Sequence, residues 1–400
     1  MVFDFEKINL VAKTFTGLES VLAKELVSLG FENIQEHNRA VSFDSDLQGL
    51  YKANLSLRTA LRVLFPLGSR ELKNEKELYD FAYEIEWENI FKTTDKFLVV
   101  SVIKSNLYRH TNYPALLVKD AIADRFRDKL GSRPSVGKNN PEIVIVVHVF
   151  GNSAEIFLDS SGEPLNRRGY RIERVKAPLN EVLAAGLIYL SEWNKKDIFI
   201  DPMCGSGTLP IEAAMIARNV PPNLYRKNFS FRNWKNFDLP LFTKTKNLLK
   251  REIKESAARI IGNDISEAAI NIARNNAARA KVLDFIEFNR ISFFEYVPPK
   301  EKKHVLFNPP YDERIKIQDT IAFYRKIGDT LKRNYGNSIT WILSGNKRAI
   351  KQIGLSADAK FTLDNGGMES YFRKYEIYEG SKKTTKEKKS DNAASKEKDK

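Results

Sequence analysis

Between about residues 178 and 380 short apolar runs alternate with helical stretches: "DIFIDP", "ARIIGNDIS", "DFIEFNRIS", "HVLFNPP", "SITWILSG" and "KYEIYEG". Few patterns restrict a fold more. Strands that alternate with helices imply βαβ units and a parallel, doubly wound sheet. Ligands of open α/β sheets bind outside the carboxyl ends of the strands. The residues that close each run are therefore the ones to read for function. Three runs close distinctively: one on Asp201, one on Asp264, and one on Asn308-Pro309-Pro310-Tyr311.

Asp201 opens "DPMCGSGTLPIEAAMIARN". A turn carrying Gly205 and Gly207 leads into a helix from about Thr208. Glycines there permit positive φ and let backbone approach a ligand closely. The helix start adds free N–H groups and the positive end of its dipole, and Pro210 is tolerated in the first helical turn. G-x-G alone is a weak signal, and glycines kept only for packing are the bland alternative. The adjoining acid and the "CGSGT" context favour a ligand. No Gly-Lys-Ser/Thr follows, so this is not a Walker A loop.

Asp264 ends the next run, where an acid meets the ribose hydroxyls of a nucleoside-like ligand. It lies well beyond the ~20-residue spacing of the dinucleotide fingerprint. The intervening "VPPNLYRKNFSFRNWKNFD" is therefore an insertion after the first helix. Its arginines, lysines and aromatics suit phosphate contact and base stacking, with a local surface lid as the equal alternative. In "NPPY" the two prolines cannot donate to a sheet, and each holds its predecessor extended. An ordinary turn is the plain reading. Against it stands the order of glycine turn, strand-tip acid and tetrapeptide on one sheet.

The first half reads as smaller α+β modules. A strand "INLVAKTF", a helix over "TGLESVLAKELVSLG" and a strand "RAVSFDS" occupy residues 1–50. Residues 51–165 give a helix into a strand, the helix "EKELYDFAYEI", the strand "KFLVVSVIKS", a helix from "YPALLV", and two strands around Gly151-Asn152. A basic, Gly/Pro-punctuated stretch with Arg167, Arg168, Arg171, Arg174 and Lys176 marks the boundary with the second half. The lysine-rich end, residues 381–400, has no large apolar side chain and reads as a disordered tail. The net charge of +14 and pI of about 9.5 suit a polyanionic partner. A single cysteine, Cys204, excludes an intrachain disulfide and fits a reducing cytosol. No run approaches the ~18 apolar residues that span a bilayer.

In "DPMCGSGT", "GNDIS" and "NPPY" the second half resembles the class I S-adenosylmethionine (SAM)-dependent methyltransferases. "NPPY" resembles the branch that methylates exocyclic or amide nitrogens. Residues 1 to about 380 together resemble the THUMP-domain RNA methyltransferases. The subgroup most similar makes N2-methylguanosine in large-subunit ribosomal RNA, on the residues "LNRRGYRIERVKAPLNEVLAAGLI", "DPMCGSGTLPIEAAMIARNVPPN" and "NPPYDERI". The N-terminal likeness rests on the order of elements more than on motifs.

The resemblance implies a Rossmann-like doubly wound methyltransferase domain at 166–380, behind a ferredoxin-like part (1–50) and a THUMP-like domain (51–165). It implies SAM held by Asp201, Pro202, Cys204, Gly205, Ser206, Gly207 and Thr208, with Asp264 on the ribose and Ile265 beside it. Many relatives carry an acid after the third strand against the adenine amino group; here Ser292 stands in its place. Asn308, Pro309, Pro310 and Tyr311 would hold and stack the target base. No metal is needed, and His304 reads as structural or exposed. The expected reaction is guanine N2 methylation in 23S rRNA by a cytoplasmic monomer or weak dimer that binds RNA and no membrane. Alternatives are a tRNA guanine enzyme, a DNA adenine-N6 enzyme, or a silent RNA-binding assembly factor. A chain starting near Gly162 is expected to keep the SAM site.

Overall fold

The computed structural model describes residues 8–171, 178–310 and 317–378. They fall into two units, Met1–Gly169 with Val220–Lys254, and Tyr170–Asn219 with Glu255–Lys400.

The first unit runs β1 (Ile8–Lys13), α1 (Glu19–Ser28), β2 (Glu32–His37), β3 (Ala40–Ser45), α2 (Leu47–Ser56), β4 (Arg62–Glu71), α3 (Lys76–Glu84), β5 (Phe97–Lys104), α4 (Tyr113–Leu130), β6 (Ile143–Phe150) and β7 (Ser153–Asp159). One seven-stranded sheet, in the order β2-β3-β1-β4-β7-β6-β5, passes through both expected modules. Only β5 and β6 pair in parallel. Residue 50, the expected module boundary, falls inside α2. Asp46 caps that helix by accepting from the Gly49 N–H at 2.6 Å.

The second unit begins with α5 (Glu181–Leu190), β8 (Ile198–Asp201) and α6 (Thr208–Ala217). The chain then crosses to the first unit for residues 220–254, which include α7 (Leu239–Arg251). It returns for β9 (Ile260–Asp264), α8 (Glu267–Arg279), β10 (Glu287–Arg290), β11 (Lys303–Phe307), α9 (Ile317–Asn334), β12 (Ser338–Ser344), α10 (Lys347–Ile350), β13 (Ala359–Asn365) and β14 (Met368–Ile377). The sheet order is β10-β9-β8-β11-β12-β14-β13. Its first five strands are parallel; β14 and β13 close the edge as an antiparallel hairpin. Strand order reverses between β8 and β11, the switch point at which such sheets bind ligands.

The buried aromatics of residues 220–254 correct the sequence expectation in part, while Tyr225 stays 47% exposed. Phe229, Phe231, Trp234 and Phe242 are buried in the core of the first unit. Phe231 lies 4.9 Å from the Tyr51 ring, and Trp234 lies 5.8 Å from Phe65. Arg226 donates to the carbonyls of Ser161, Glu163 and Pro164. These aromatics are core, unable to stack on bases, and this arginine is spent on backbone. Among the described residues no helix is long and apolar enough to cross a membrane.

Candidate functional site

β8, β9 and β11 are neighbours, so their tips share one edge. Asp201 pairs in register with Gly262, and Ile200 with Val305. Asp264 and Asn308 therefore both stand two residues beyond the level of Asp201, one on each side. Two strand spacings put them about 10 Å apart. The glycine turn rises between them.

Local hydrogen bonds hold that turn. Asp201 Oδ1 accepts from the Met203 N–H at 3.2 Å, and the Cys204 N–H donates to the Asn263 carbonyl at 2.8 Å. The Gly205 N–H donates to Asp264 Oδ2 at 2.9 Å, tying the turn to the second strand tip. Asp264 Oδ1 accepts from the Ser266 N–H at 2.9 Å, and Ser266 caps α8. Burial pushes the Asp201 carboxyl well above the usual carboxylate range. The Met203 N–H opposes that shift and the nearby Asp264 charge adds to it. Burial and the same two acids raise the Cys204 thiol, so it stays neutral and is no nucleophile.

The two glycines differ. Gly205 has φ +52°, and a Cβ there would meet nothing within 4 Å. Gly207 has φ +82°, but its Cβ would lie 2.9 Å from Ala273 Cβ and 3.3 Å from the Phe288 ring. Gly205 leaves room for a ligand; Gly207 lets α8 pack against the start of α6. Pro202, Ser206 and Thr208 are buried. Ser206 gives its carbonyl to Asn276 Nδ2 at 3.1 Å.

Ile265 is 71% exposed directly beyond Asp264, a large apolar side chain left open at the mouth of the site. Past β10, the Ile291 N–H donates to the Asp264 carbonyl at 3.0 Å, which brings Ser292 to the same edge. Its hydroxyl accepts from the Phe294 N–H at 3.3 Å. At the tip of β11 the Asn308 Oδ1 is buried and has no hydrogen-bond partner among the described residues. Pro309 beside it is buried and Pro310 half-buried. Tyr311, Arg174, Lys176 and the tail lie outside the described residues. His304 is buried and structural: its Nε2 meets Ser191 Oγ at 2.8 Å, and burial holds its imidazole down at about 4.

The basic boundary also reads differently in the structure. Arg168 is buried and donates to the carbonyls of Leu165 and Arg58. Arg171 pairs with Glu181 at 2.8 Å and donates to Ser206 Oγ and Thr208 Oγ1. Nothing in the sequence separates these arginines from solvent-facing ones, because the fold alone brings Arg58 to Arg168 and Ser206 and Thr208 to Arg171.

The site has an open glycine, a carboxylate at the tip of the second strand, an exposed apolar side chain and a buried acceptor without a partner among the described residues. Those features fit SAM with a target nitrogen beside it.

Residues 168–374 match the family described as RMKL-like, methyltransferase domain. Residues 9–64 match the RlmL ferredoxin-like domain, and 73–159 the THUMP domain. A Synechocystis protein with a provisional RNA-methyltransferase name is 34% identical over 90% of this chain and 95% of its own. The ribosomal RNA large subunit methyltransferase K/L of Shewanella amazonensis is 34% identical over 92% of this chain and 53% of its own. The chain thus spans about half the length of that enzyme. The crystal structure of SMU.472, provisionally described as a methyltransferase and solved with SAH, superposes with a TM-score of 0.83 at 29% identity. It covers 94% of this chain and 99% of its own. The doubly wound sheet, its SAM-fitted edge and these matches agree: the chain belongs to the RMKL-like family of SAM-dependent methyltransferases, with RlmL ferredoxin-like and THUMP domains preceding the catalytic domain.

Proposed function

We propose that this chain methylates the exocyclic N2 of a guanine in large-subunit (23S) ribosomal RNA. The observation that carries the reading is the Oδ1 of Asn308, buried with no partner among the described residues. A buried acceptor without a partner costs about 1–3 kcal/mol, which suits an atom kept for a substrate. An amino group conjugated to a ring is a poor nucleophile, because its lone pair is delocalised. Asn308 Oδ1 and a carbonyl of the following prolines accept its two N–H bonds and direct the lone pair outward. The proline backbone fixes that carbonyl in advance, which is preorganisation rather than acid–base work. SAM supplies an electrophilic methyl on a sulfonium. Asp264 and the Gly205 turn orient the donor, and Tyr311 stacks on the base.

RNA is favoured over DNA by the THUMP match and the net charge of +14. Large-subunit rRNA is favoured by the name of the Shewanella relative. Mass spectrometry of nucleosides from separated rRNA, tRNA and DNA of a deletion strain tests the reading. Loss of N2-methylguanosine from large-subunit rRNA is expected. Loss from tRNA alone, or loss of N6-methyladenine from DNA, would replace it.

A further inference from the structure

Arg171 stands at the start of the catalytic unit, just before residues 172–177, and was legible only as one charge in a basic boundary. In the structure its side chain is 13% exposed. Nε donates to Glu181 Oε1 at 2.8 Å, Nη1 to Ser206 Oγ at 3.2 Å, and Nη2 to Thr208 Oγ1 at 2.8 Å and the Leu179 carbonyl at 3.2 Å. Ser206 and Thr208 flank Gly207. Glu181 opens α5, where Asn180 caps the helix. One planar fork therefore joins the start of α5, the end of the glycine turn and the start of α6.

The bonds at Cys204, Gly205 and the Ser206 carbonyl hold the backbone of that turn, and Arg171 adds the hold on its two side-chain hydroxyls. Gly205 and Gly207 both carry positive φ, and α6 has no side-chain cap. Glycine loses more backbone freedom on ordering than any other residue. A donor that must be held to within about half an ångström needs a turn that is already rigid. A guanidinium meets two hydroxyls, a carboxylate and a carbonyl at once, which a lysine ammonium cannot do in one plane.

We infer that Arg171 is a positioning residue for the methyl donor: by fastening Ser206 and Thr208 to Glu181 it fixes the glycine turn that receives SAM. The inference rests on the reading of that turn as the donor site. Arg171 acts through the turn and sets donor affinity, with no part in the transfer itself. A merely structural arginine would change melting temperature and leave donor affinity alone.

Arg171→Lys keeps a positive charge for Glu181 and loses the fork; Thr208→Val removes one acceptor and leaves Arg171 in place. Calorimetric SAM binding, RNA binding, thermal melting and steady-state kinetics on the full chain give the readouts. Arg171→Lys should weaken SAM binding and raise its KM by about tenfold, with kcat at saturating SAM within about threefold and RNA affinity unchanged. Thr208→Val should shift SAM affinity the same way by a few fold; because Thr208 borders the donor turn itself, Glu181→Gln, which lies off the turn, decides if Arg171→Lys fails to fold and should also weaken SAM binding by a few fold. Folded variants that bind SAM within about twofold of the parent overturn the inference. Gly205→Val separates the two levels. If it also retains SAM affinity, the turn is not the donor site. If it loses SAM while the others keep it, only the role of Arg171 falls.

Discussion

Asn308 and Asp264 stand on either side of the strand that carries the glycine turn, and their hydrogen bonding sets them apart. Asp264 is spent locally, with one oxygen on the Gly205 N–H and the other on the Ser266 N–H. It builds the turn as well as standing where the donor is proposed to bind. Asp264→Ala should weaken SAM binding about ten- to a hundredfold, as expected for the loss of charge-assisted bonds of roughly 1.5–3 kcal/mol. RNA affinity should hold; unchanged SAM affinity in a folded variant, read by calorimetry, defeats the assignment. Asn308 is the reverse case, since its Oδ1 has no hydrogen-bond partner among the described residues. Asn308→Ala should leave SAM affinity and melting temperature near the parent values. Its single-turnover rate should fall on the order of a hundredfold, the effect of removing one preorganised polar contact in a transition state. A parent-like rate would make Asn308 a turn residue only.

At the scale of elements, the strands that carry the site were legible because each is buried. β8 and β11 are buried throughout and end sharply on Asp201 and before Asn308. β2 ("ENIQEH") was not, because it is an exposed edge strand with no apolar face to set a period; β13 ("AKFTLDN") was not, because its alternation is only Ala359, Phe361 and Leu363, of which Leu363 alone is buried. Sequence could not divide the glycines either: Gly-x-Gly looks alike whether space is kept for a ligand or for a helix. The structure gives Gly205 the first duty and Gly207 the second. Gly207→Ala combines left-handed strain of about 1–2 kcal/mol with overpacking of about 1–3 against Ala273. Gly205→Ala carries the strain alone. In urea unfolding Gly207→Ala should therefore be the less stable of the two by at least about 1 kcal/mol. Equal losses would mean that α8 yields to the extra methyl.

The whole molecule is less separable than its linear domain order implies. The chain passes between the units three times, after Gly169, after Asn219 and after Lys254. A cluster of aromatics and basic residues reads equally well as a nucleic-acid surface or as core, because the two differ only in what covers them. Here the cover is Tyr51 and Phe65, far back in the sequence. A chain cut near Gly162 would leave Phe229, Phe231, Trp234 and Phe242 without the core that buries them. Each aromatic so exposed forfeits roughly 1.5–3 kcal/mol of burial, and a contiguous apolar patch of that kind favours aggregation. The simple truncation should therefore be insoluble or molten. The catalytic unit offers a better cut, because Arg218 and Glu255 pair at 3.1 Å where the insertion leaves and returns. Replacing residues 220–254 with a short Gly/Ser linker, together with removal of residues 1–169, should give a folded unit. That unit should bind SAM with parent-like affinity and methylate full-length RNA poorly, because the phosphate contacts proposed for the first unit are gone. Size-exclusion chromatography, SAM calorimetry and methyl transfer across a salt series read the three outcomes. If the unit methylates RNA at the parent rate, the first unit is not what captures the substrate.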